Sequence, residues 1–278
     1  MILDGRRAAE VLKQNLISEF AYLKENDIKP KMAIVLPLSN DASFSYLKAR
    51  RKIAELLGVE IVEFYGQEDY STSDYLDIIQ KLNDDKSIHG IMLDRPFPKN
   101  IDEDQVYQAL DYRKDVDGCN PISAGLLLQG KPSLAPSTAR AILELMKFYG
   151  INLLGKNVTV VGRSRTVGMP TAQLLIKENS TVTICHSKTM NLADKCMTAD
   201  IIIAAIGKRD FFTPEFVTSK SIIIDVGINY DDLGKMCGDV RKDVYDIVDS
   251  YSPVPGGVGP LTNVALMYNL LDAISKQK

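Results

Sequence analysis

Residues 158–170 read VTVVGRSRTVGMP and give the strongest sign of how this chain folds. The first four are apolar or β-branched, which predicts a short buried strand, and helical spacing follows over residues 171–177. A second strand is predicted over residues 181–185. Strand, glycine turn, helix and strand together are typical of the start of a dinucleotide-binding fold. Glycine in the turn lets the backbone approach a pyrophosphate, whose negative charge the helix N-terminus favours.

The same turn bears on the choice of cofactor. It does not match GxGxxG, because only Gly162 and Gly168 remain, and an ordinary strand-to-helix turn is the alternative interpretation. His186 and Ser187 follow the second strand, where an NAD-preferring site usually carries Asp or Glu. Arg163 lies in the turn, and a guanidinium is suited to a 2′-phosphate. These residues favour NADP over NAD.

Composition excludes several classes of protein. At 278 residues the chain is long enough for two domains, and its 25% charged and 45% apolar residues are ordinary for a globular protein. A net charge of −3 without a long basic run argues against nucleic-acid binding. No run approaches the ~18 apolar residues of a membrane span, and no signal-peptide pattern opens the sequence. Four widely spaced cysteines indicate a cytoplasmic protein, and two histidines without ligand spacing predict no metal site.

The first half of the chain alternates strands and helices. Helices are predicted over residues 4–24, 40–57 and 71–82, and strands over residues 31–36, 59–64 and 88–93. This alternation predicts a mainly parallel sheet, whose ligands lie beyond the carboxyl ends of the strands. The polar segments 37–43, 94–98 and 114–118 come to that edge, so we expect a pocket there.

The second half ends in an unusual segment. Residues 139–149 are predicted to form a connecting helix, and further strands are expected over residues 199–207 and 221–225. Residues 252–262 read SPVPGGVGPLT, which predicts a rigid loop without bulk before a C-terminal helix at residues 263–276. Such a loop can form a flat surface against which the rings of a ligand lie. The alternative interpretation is an unusual turn before the C-terminal helix.

Taken together, these motifs resemble those of the tetrahydrofolate dehydrogenase/cyclohydrolase family. The matching runs occur in the family's order across nearly the whole chain. They are DASFSY (41–46), KDVDG (114–118), PST (136–138), VGRS (161–164) with VG (167–168) and Pro170, CHS (185–187), AIGK (205–208), DVG (225–227), GDV (238–240) and PVPGGVGP (253–260).

The resemblance implies an α/β folate-binding domain at residues 1–149, a Rossmann-type NADP-binding domain at residues 150–260 and a C-terminal helix at residues 261–278 that returns to the first domain. The active site would lie in a cleft between the domains. The implied reaction is oxidation of 5,10-methylenetetrahydrofolate to the methenyl form with NADP. In most members the methenyl compound is then hydrolysed to 10-formyltetrahydrofolate, and members are usually homodimers.

The resemblance also assigns site residues. Tyr46, Arg50, Asp94 and Asp117 occupy catalytic positions, Tyr46 to stack on or hydrogen-bond the folate and Asp117 to anchor the N–H donors of the pterin. The substrate-binding positions are Ser43, Tyr46, Asp117, Pro255, Gly256 and Gly257. The cofactor-binding positions are Gly162, Arg163, Ser164, Val167, Gly168, His186, Ser187, Ala205, Gly207, Gly227, Ile228 and Thr262, with Arg163 and Ser187 holding the 2′-phosphate.

Two positions depart from the family. Arg50 stands where the family has its catalytic lysine, and Asp94 replaces the supporting glutamine; Lys48 lies about 200° around the helix from Tyr46. Because arginine stays protonated, we predict a bidentate Arg50–Asp94 ion pair, retained dehydrogenase activity and weak or absent cyclohydrolase activity. One alternative is a fully bifunctional enzyme in which Arg50 acts electrostatically. A non-catalytic folate- or nucleotide-binding protein is another, against which the intact cofactor residues argue.

Overall fold

The computed structural model describes residues 1–37 and 41–277, with all their side chains except those of residues 41–45. Within these ranges, no helix combines the length and the apolar character that crossing a membrane requires. The chain divides into two compact units. The five-stranded unit comprises Met1–Val11 and Thr138–Thr262, and the three-stranded unit comprises Leu12–Ser137 and Asn263–Lys278. The domain bounds that the resemblance implies stay a prediction.

The three-stranded unit is built on a parallel sheet. Its strands are β1 (Lys31–Leu36), β2 (Glu60–Tyr65) and β3 (Gly90–Leu93), in the order β2-β1-β3. Both neighbours of β1 run parallel to it, which confirms the parallel sheet that the alternating pattern predicts. Its helices are α1 (Gly5–Glu25), which begins in the other unit, α2 (Asp41–Leu57), α3 (Thr72–Asp84), α4 (Glu103–Ala109) and α5 (Pro121–Leu128).

The sequence did not predict α4 and α5. Both are short, and each begins after a side-chain cap: Asp102 accepts hydrogen bonds from Asp104 and Gln105, and Asn120 accepts one from Ile122. A helix of seven or eight residues shows too few turns for a periodic pattern to stand out, so the cap is its main signal.

The C-terminal helix α9 (Gly259–Lys276) belongs to the three-stranded unit from Asn263 onwards. Asn269 is fully buried, and its amide donates to the carbonyl oxygens of Val116 at 2.7 Å and Ala135 at 2.8 Å. The Tyr268 hydroxyl donates to the carbonyl of Leu12 at 3.3 Å. These bonds satisfy buried backbone groups and confirm that the last helix returns to the first domain.

The second segment of the five-stranded unit begins with helix α6 (Ser137–Phe148), from Thr138 onwards. Its sheet contains β4 (Asn157–Val161), β5 (Thr181–Cys185), β6 (Ile201–Ala204), β7 (Ile222–Asp225) and β10 (Ser250–Ser252), all parallel, in the order β10-β7-β6-β4-β5. Helices α7 (Gly168–Lys177) and α8 (Leu192–Met197) connect strands, and β8 (Asn229–Tyr230) pairs with β9 (Met236–Cys237) as a short hairpin. The first residues of the chain lie along β10, where the Leu3 N–H donates to the Tyr251 carbonyl at 2.8 Å.

Helices α7 and α9 begin three and four residues earlier than predicted, respectively. Helix α7 begins at Gly168 rather than residue 171, and α9 begins at Gly259 rather than residue 263. In each case a proline, Pro170 or Pro260, lies in the first turn. Proline fits there because the first N–H groups of a helix have no partner within it. The prediction of loop at these residues is wrong because proline is compatible with the first turn of a helix as well as with a loop.

Candidate functional site

The strand order of the five-stranded unit indicates where a ligand binds. From β4 the chain passes to β5 on one side, and then to β6, β7 and β10 on the other, so the direction of winding reverses between β4 and β6. Ligands of open α/β sheets bind at the carboxyl ends of the strands that flank such a reversal. Gly162 follows β4 and Ala205 follows β6, and both were predicted from the sequence as cofactor positions.

Glycine is required at this point for space. Gly162 has a φ of +140°, and a Cβ there would lie 2.2 Å from the carbonyl oxygen of Ala205. A Cβ on Gly168 would lie 2.1 Å from the carbonyl oxygen of Gly162. The Ser164 hydroxyl accepts hydrogen bonds from the N–H groups of Val167 at 3.1 Å and Gly168 at 3.3 Å, so it holds the turn before α7. This bare backbone at a helix N-terminus fits a pyrophosphate.

The residues predicted to hold the 2′-phosphate follow two neighbouring strands, β4 and β5, that end at the same level of the sheet. Val161 pairs with Cys185 in the register of β4 and β5, and the Gly162 N–H donates to the Cys185 carbonyl at 2.9 Å. Arg163 and Ser187, which follow these strands, are exposed. His186 is partly buried, and its backbone N–H donates to the Thr189 hydroxyl at 2.8 Å.

A carboxylate outside the predicted site residues, that of Asp239, organises the loops after β6 and β7. Asp239 is fully buried, and its oxygens accept four hydrogen bonds. The donors are the N–H groups of Ile206 (2.8 Å), Gly207 (2.9 Å) and Lys208 (2.7 Å) and the side-chain amide of Asn229 (2.9 Å). A Cβ on Gly227 would lie 2.1 Å from Asp239 Oδ1, so this predicted cofactor residue makes room for the carboxylate.

A second buried carboxylate, that of Asp225, positions the backbone at Asp239. Asp225, at the end of β7, accepts hydrogen bonds from the N–H groups of Gly227 at 3.1 Å, Asp239 at 3.0 Å and Val240 at 3.0 Å. Burial raises the pKa of Asp225 to about 7, although these donors oppose the rise. The runs DVG and GDV are motifs in the sequence, but the hydrogen bond from the Asp239 N–H to the Asp225 carboxylate exists only in the folded chain.

The proline- and glycine-rich segment is held by the start of the chain. The Gly5 N–H donates to the Gly256 carbonyl at 2.8 Å, and the Gly257 N–H donates to the Pro253 carbonyl at 2.7 Å. A Cβ on Gly5 would lie 1.6 Å from the carbonyl oxygen of Gly257, so only glycine fits. No motif in the sequence points to Gly5.

Two further predicted cofactor residues lie in the same unit. Ile228 is 52% exposed. The Thr262 hydroxyl donates to the Gly259 carbonyl at 2.9 Å within the first turn of α9.

In the three-stranded unit, the structure brings Tyr46, Arg50 and Asp94 together. Arg50 is 8% exposed, and its Nη1 lies 3.3 Å from Asp94 Oδ1. The Arg50 Cζ lies 6.0 Å from the centroid of the Tyr46 ring, and Tyr46 itself is 45% exposed. The Asp94 N–H donates to the Val35 carbonyl at 2.8 Å, which fixes Asp94 at the carboxyl end of β3.

The ion pair forms, but the prediction that it is bidentate was wrong. Within the described part of the chain, Arg50 Nε, Arg50 Nη1 and Asp94 Oδ2 are buried and have no hydrogen-bond partner. A bidentate pair needs both carboxylate oxygens to accept from the guanidinium, whereas here Oδ2 accepts no hydrogen bond from the described residues. The pair therefore keeps unused hydrogen-bonding capacity on both partners.

Asp117 is oriented by a residue from the PST run. The Ser137 hydroxyl, at the start of α6, donates to Asp117 Oδ1 at 2.6 Å, and the Cys119 thiol approaches Oδ2 at 3.6 Å. Burial raises the pKa of the neighbouring Asp115 to about 7. Ser137 belongs to the PST motif, but the sequence alone does not predict its contact with Asp117.

Two other residues, Ser43 and Lys114, come from segments that were predicted to line the pocket. The side chain of Ser43, a predicted substrate residue in α2, lies outside the described residues. Lys114 does not serve the pocket, because its Nζ donates to the carbonyls of Leu82, Asn83 and Asp85 and so caps the C-terminus of α3. Burial lowers the pKa of this lysine.

The fold, together with the bare backbone at Gly162 and Gly168, defines a two-domain α/β protein of the dinucleotide-binding class. The model of the tetrahydrofolate dehydrogenase/cyclohydrolase catalytic domain matches residues 3–117, and that of the family's NAD(P)-binding domain matches residues 136–278. The chain belongs to the tetrahydrofolate dehydrogenase/cyclohydrolase family, which confirms the resemblance seen in the motifs.

Relatives match over the full length. The bifunctional protein FolD of Acholeplasma laidlawii is 42% identical over 279 residues, which cover 100% of this chain and 99% of the relative. The crystal structure of the bifunctional enzyme FolD from Campylobacter jejuni is 34% identical with a TM-score of 0.96, covering 100% and 99% of the two chains. The Trypanosoma brucei dehydrogenase-cyclohydrolase, solved with NADP and an inhibitor, is 29% identical with a TM-score of 0.92, covering 99% and 97%.

Proposed function

We propose that this chain oxidises 5,10-methylenetetrahydrofolate with NADP and hydrolyses the methenyl product to 10-formyltetrahydrofolate. The observation that carries the proposal is full-length similarity to a relative named as bifunctional, at 42% identity. The comparisons therefore favour the bifunctional alternative over the weak hydrolysis expected from Arg50 and Asp94. The family resemblance also leads us to expect a cytoplasmic homodimer.

NADP would supply the hydride acceptor, so the work of the protein in the first step is alignment. The backbone at Gly162 and Gly168 fits the pyrophosphate, and Arg163 with Ser187 would hold the 2′-phosphate. Asp117 would anchor the pterin, with Tyr46 against the folate. The NADP complex of the Trypanosoma brucei relative supports this choice of cofactor.

One experiment tests both activities of the purified chain. We expect NADPH to form from methylenetetrahydrofolate and NADP, and methenyltetrahydrofolate to disappear well above its rate in buffer. Absorbance spectroscopy follows both. Absence of NADPH formation would refute the proposed dehydrogenase, and dehydrogenation without hydrolysis would refute the second activity.

The second outcome would establish the other candidate, a dehydrogenase with weak hydrolysis. The Arg50–Asp94 ion pair favours it, because arginine cannot exchange a proton as a lysine does. In that case Arg50→Lys combined with Asp94→Gln should raise hydrolysis above the rate of the unmodified chain.

We expect Arg163→Ala to raise KM for NADP by about 10- to 100-fold, because a hydrogen bond to a charged group contributes about 1.5–3 kcal/mol. KM for NAD should change little, since NAD has no 2′-phosphate. The measurement is steady-state kinetics with each cofactor. Arg165→Ala is the matched control, because Arg165 is an exposed cation in the same turn. Equal effects of Arg163→Ala on the two cofactors would contradict the assignment.

A further inference from the structure

We propose that Asp94 is the general base of the hydrolytic step, accepting a proton at Oδ2 from a water that Arg50 holds. This inference rests on the proposed cyclohydrolase activity and names the residues that perform it. It reverses the expectation that Arg50 and Asp94 leave cyclohydrolase activity weak or absent. The observation behind it is the incomplete hydrogen bonding of the buried pair.

The unused atoms form a complementary set. Arg50 is 8% exposed, and the side chain of Asp94 is 12% exposed. Among the described residues, Arg50 Nε and Nη1 have no hydrogen-bond acceptor, and Asp94 Oδ2 has no donor. Buried polar atoms in native proteins nearly always bond to protein, water or ligand, because an unsatisfied one costs about 1–3 kcal/mol. Nη1 lies 3.3 Å from Oδ1 of the same carboxylate, and a water that accepted from the guanidinium and donated to Oδ2 would satisfy atoms of both partners.

The chemistry divides between the partners. Arg50 stays protonated, so it cannot take a proton, but its charge stabilises the oxygen as it becomes a nucleophile. The carboxylate is the group of the pair that can accept the proton. Asp94 is fixed at the end of β3, and Arg50 lies one helical turn from Tyr46, which we expect to contact the folate. The pair as a whole is neutral, so it does not repel the cationic methenyl substrate.

The step balances. The water oxygen bonds to the methenyl carbon as its proton passes to Asp94 Oδ2, which gives a neutral carbinolamine and a carboxylic acid. The carbon–N5 bond then breaks while Asp94 gives its proton to N5 and takes the hydroxyl proton, which leaves the 10-formyl group. Asp94 finally releases that proton to solvent. The sum is one water consumed and one proton released for each methenyl cation.

The test compares two rates in one protein. We expect Asp94→Asn to lower the ratio of methenyltetrahydrofolate hydrolysis to NADPH formation by about 100-fold, the low end for general base catalysis. Glu55→Gln, an exposed carboxylate on the same helix as Arg50, is the matched control and should leave the ratio unchanged. In Asp94→Ala, added acetate or formate should restore hydrolysis, and acetate, the stronger base, should restore more.

The outcomes separate this inference from the proposed function. Hydrolysis by the unmodified chain together with an unchanged ratio in Asp94→Asn would overturn the role of Asp94 and leave the activity standing. No hydrolysis by the unmodified chain would overturn both. Equal loss of both activities in Asp94→Asn, without rescue of Asp94→Ala by carboxylates, would show a structural role and overturn the inference.

Discussion

Asp117→Asn is expected to lower kcat/KM for methylenetetrahydrofolate by at least about 100-fold. Ser137 donates to Oδ1 of Asp117 through its hydroxyl and its N–H, and within the described chain Oδ2 has only the weak donor of the Cys119 thiol at 3.6 Å, so Oδ2 keeps more capacity to accept from the pterin. Asparagine brings an NH₂ group towards the N–H donors and removes the negative charge. Losing two charge-assisted hydrogen bonds at about 1.5–3 kcal/mol each gives an effect of this size. Steady-state kinetics at saturating NADP measure it.

Two variants control this prediction. Ser137→Ala should give a smaller loss, because the carboxylate remains but loses the 2.6 Å bond that orients it. Asp77→Asn, an exposed carboxylate on α3, should leave kcat/KM unchanged. If Asp117→Asn kept kcat/KM for the folate within a few-fold, Asp117 would not be the pterin anchor.

Asp239→Ala is expected to lower the free energy of unfolding by about 3–5 kcal/mol. The change removes the acceptor of four hydrogen bonds in a fully buried position, and each donor left unsatisfied costs about 1–3 kcal/mol unless it reaches water. Relaxation of the loops after β6 and β7 recovers part of that cost. Because these loops flank the predicted cofactor site, affinity for NADP should fall as well. Urea denaturation followed by circular dichroism measures the stability.

Asp243→Ala provides the control for this loss. Asp243 pairs with Arg241 at 2.6 Å, but both side chains are about half exposed, and such surface pairs contribute about 0–1 kcal/mol. A loss at Asp239 no larger than the loss at Asp243 would show that the loops do not depend on the buried carboxylate.

The sequence predicted the parallel sheets because alternating strands and helices leave few other arrangements. It also predicted the Arg50–Asp94 contact, since two motif positions of one family are expected to meet. It did not predict how the pair bonds, because the approach of α2 to the end of β3 determines which carboxylate oxygen faces the guanidinium.

Other features were hidden for a related reason. Asp225 and Asp239 become a linked pair only when the segment after β9 folds back over β7. Gly5 matters only because a loop near the other end of the chain lies against it. The DVG and GDV runs mark Asp225 and Asp239 as motif residues, but no local pattern shows that the two segments meet, and Gly5 belongs to no motif.

The division of the chain into two units affects when it can fold during translation. Each unit combines segments that are far apart in the chain, and the three-stranded unit takes its last helix from the C-terminus. Until Asn269 has left the ribosome, the carbonyls of Val116 and Ala135 lack the donors that bond them in the finished fold. Domains that are continuous in sequence can fold one after another during translation, whereas this chain completes its packing only after its C-terminal helix emerges.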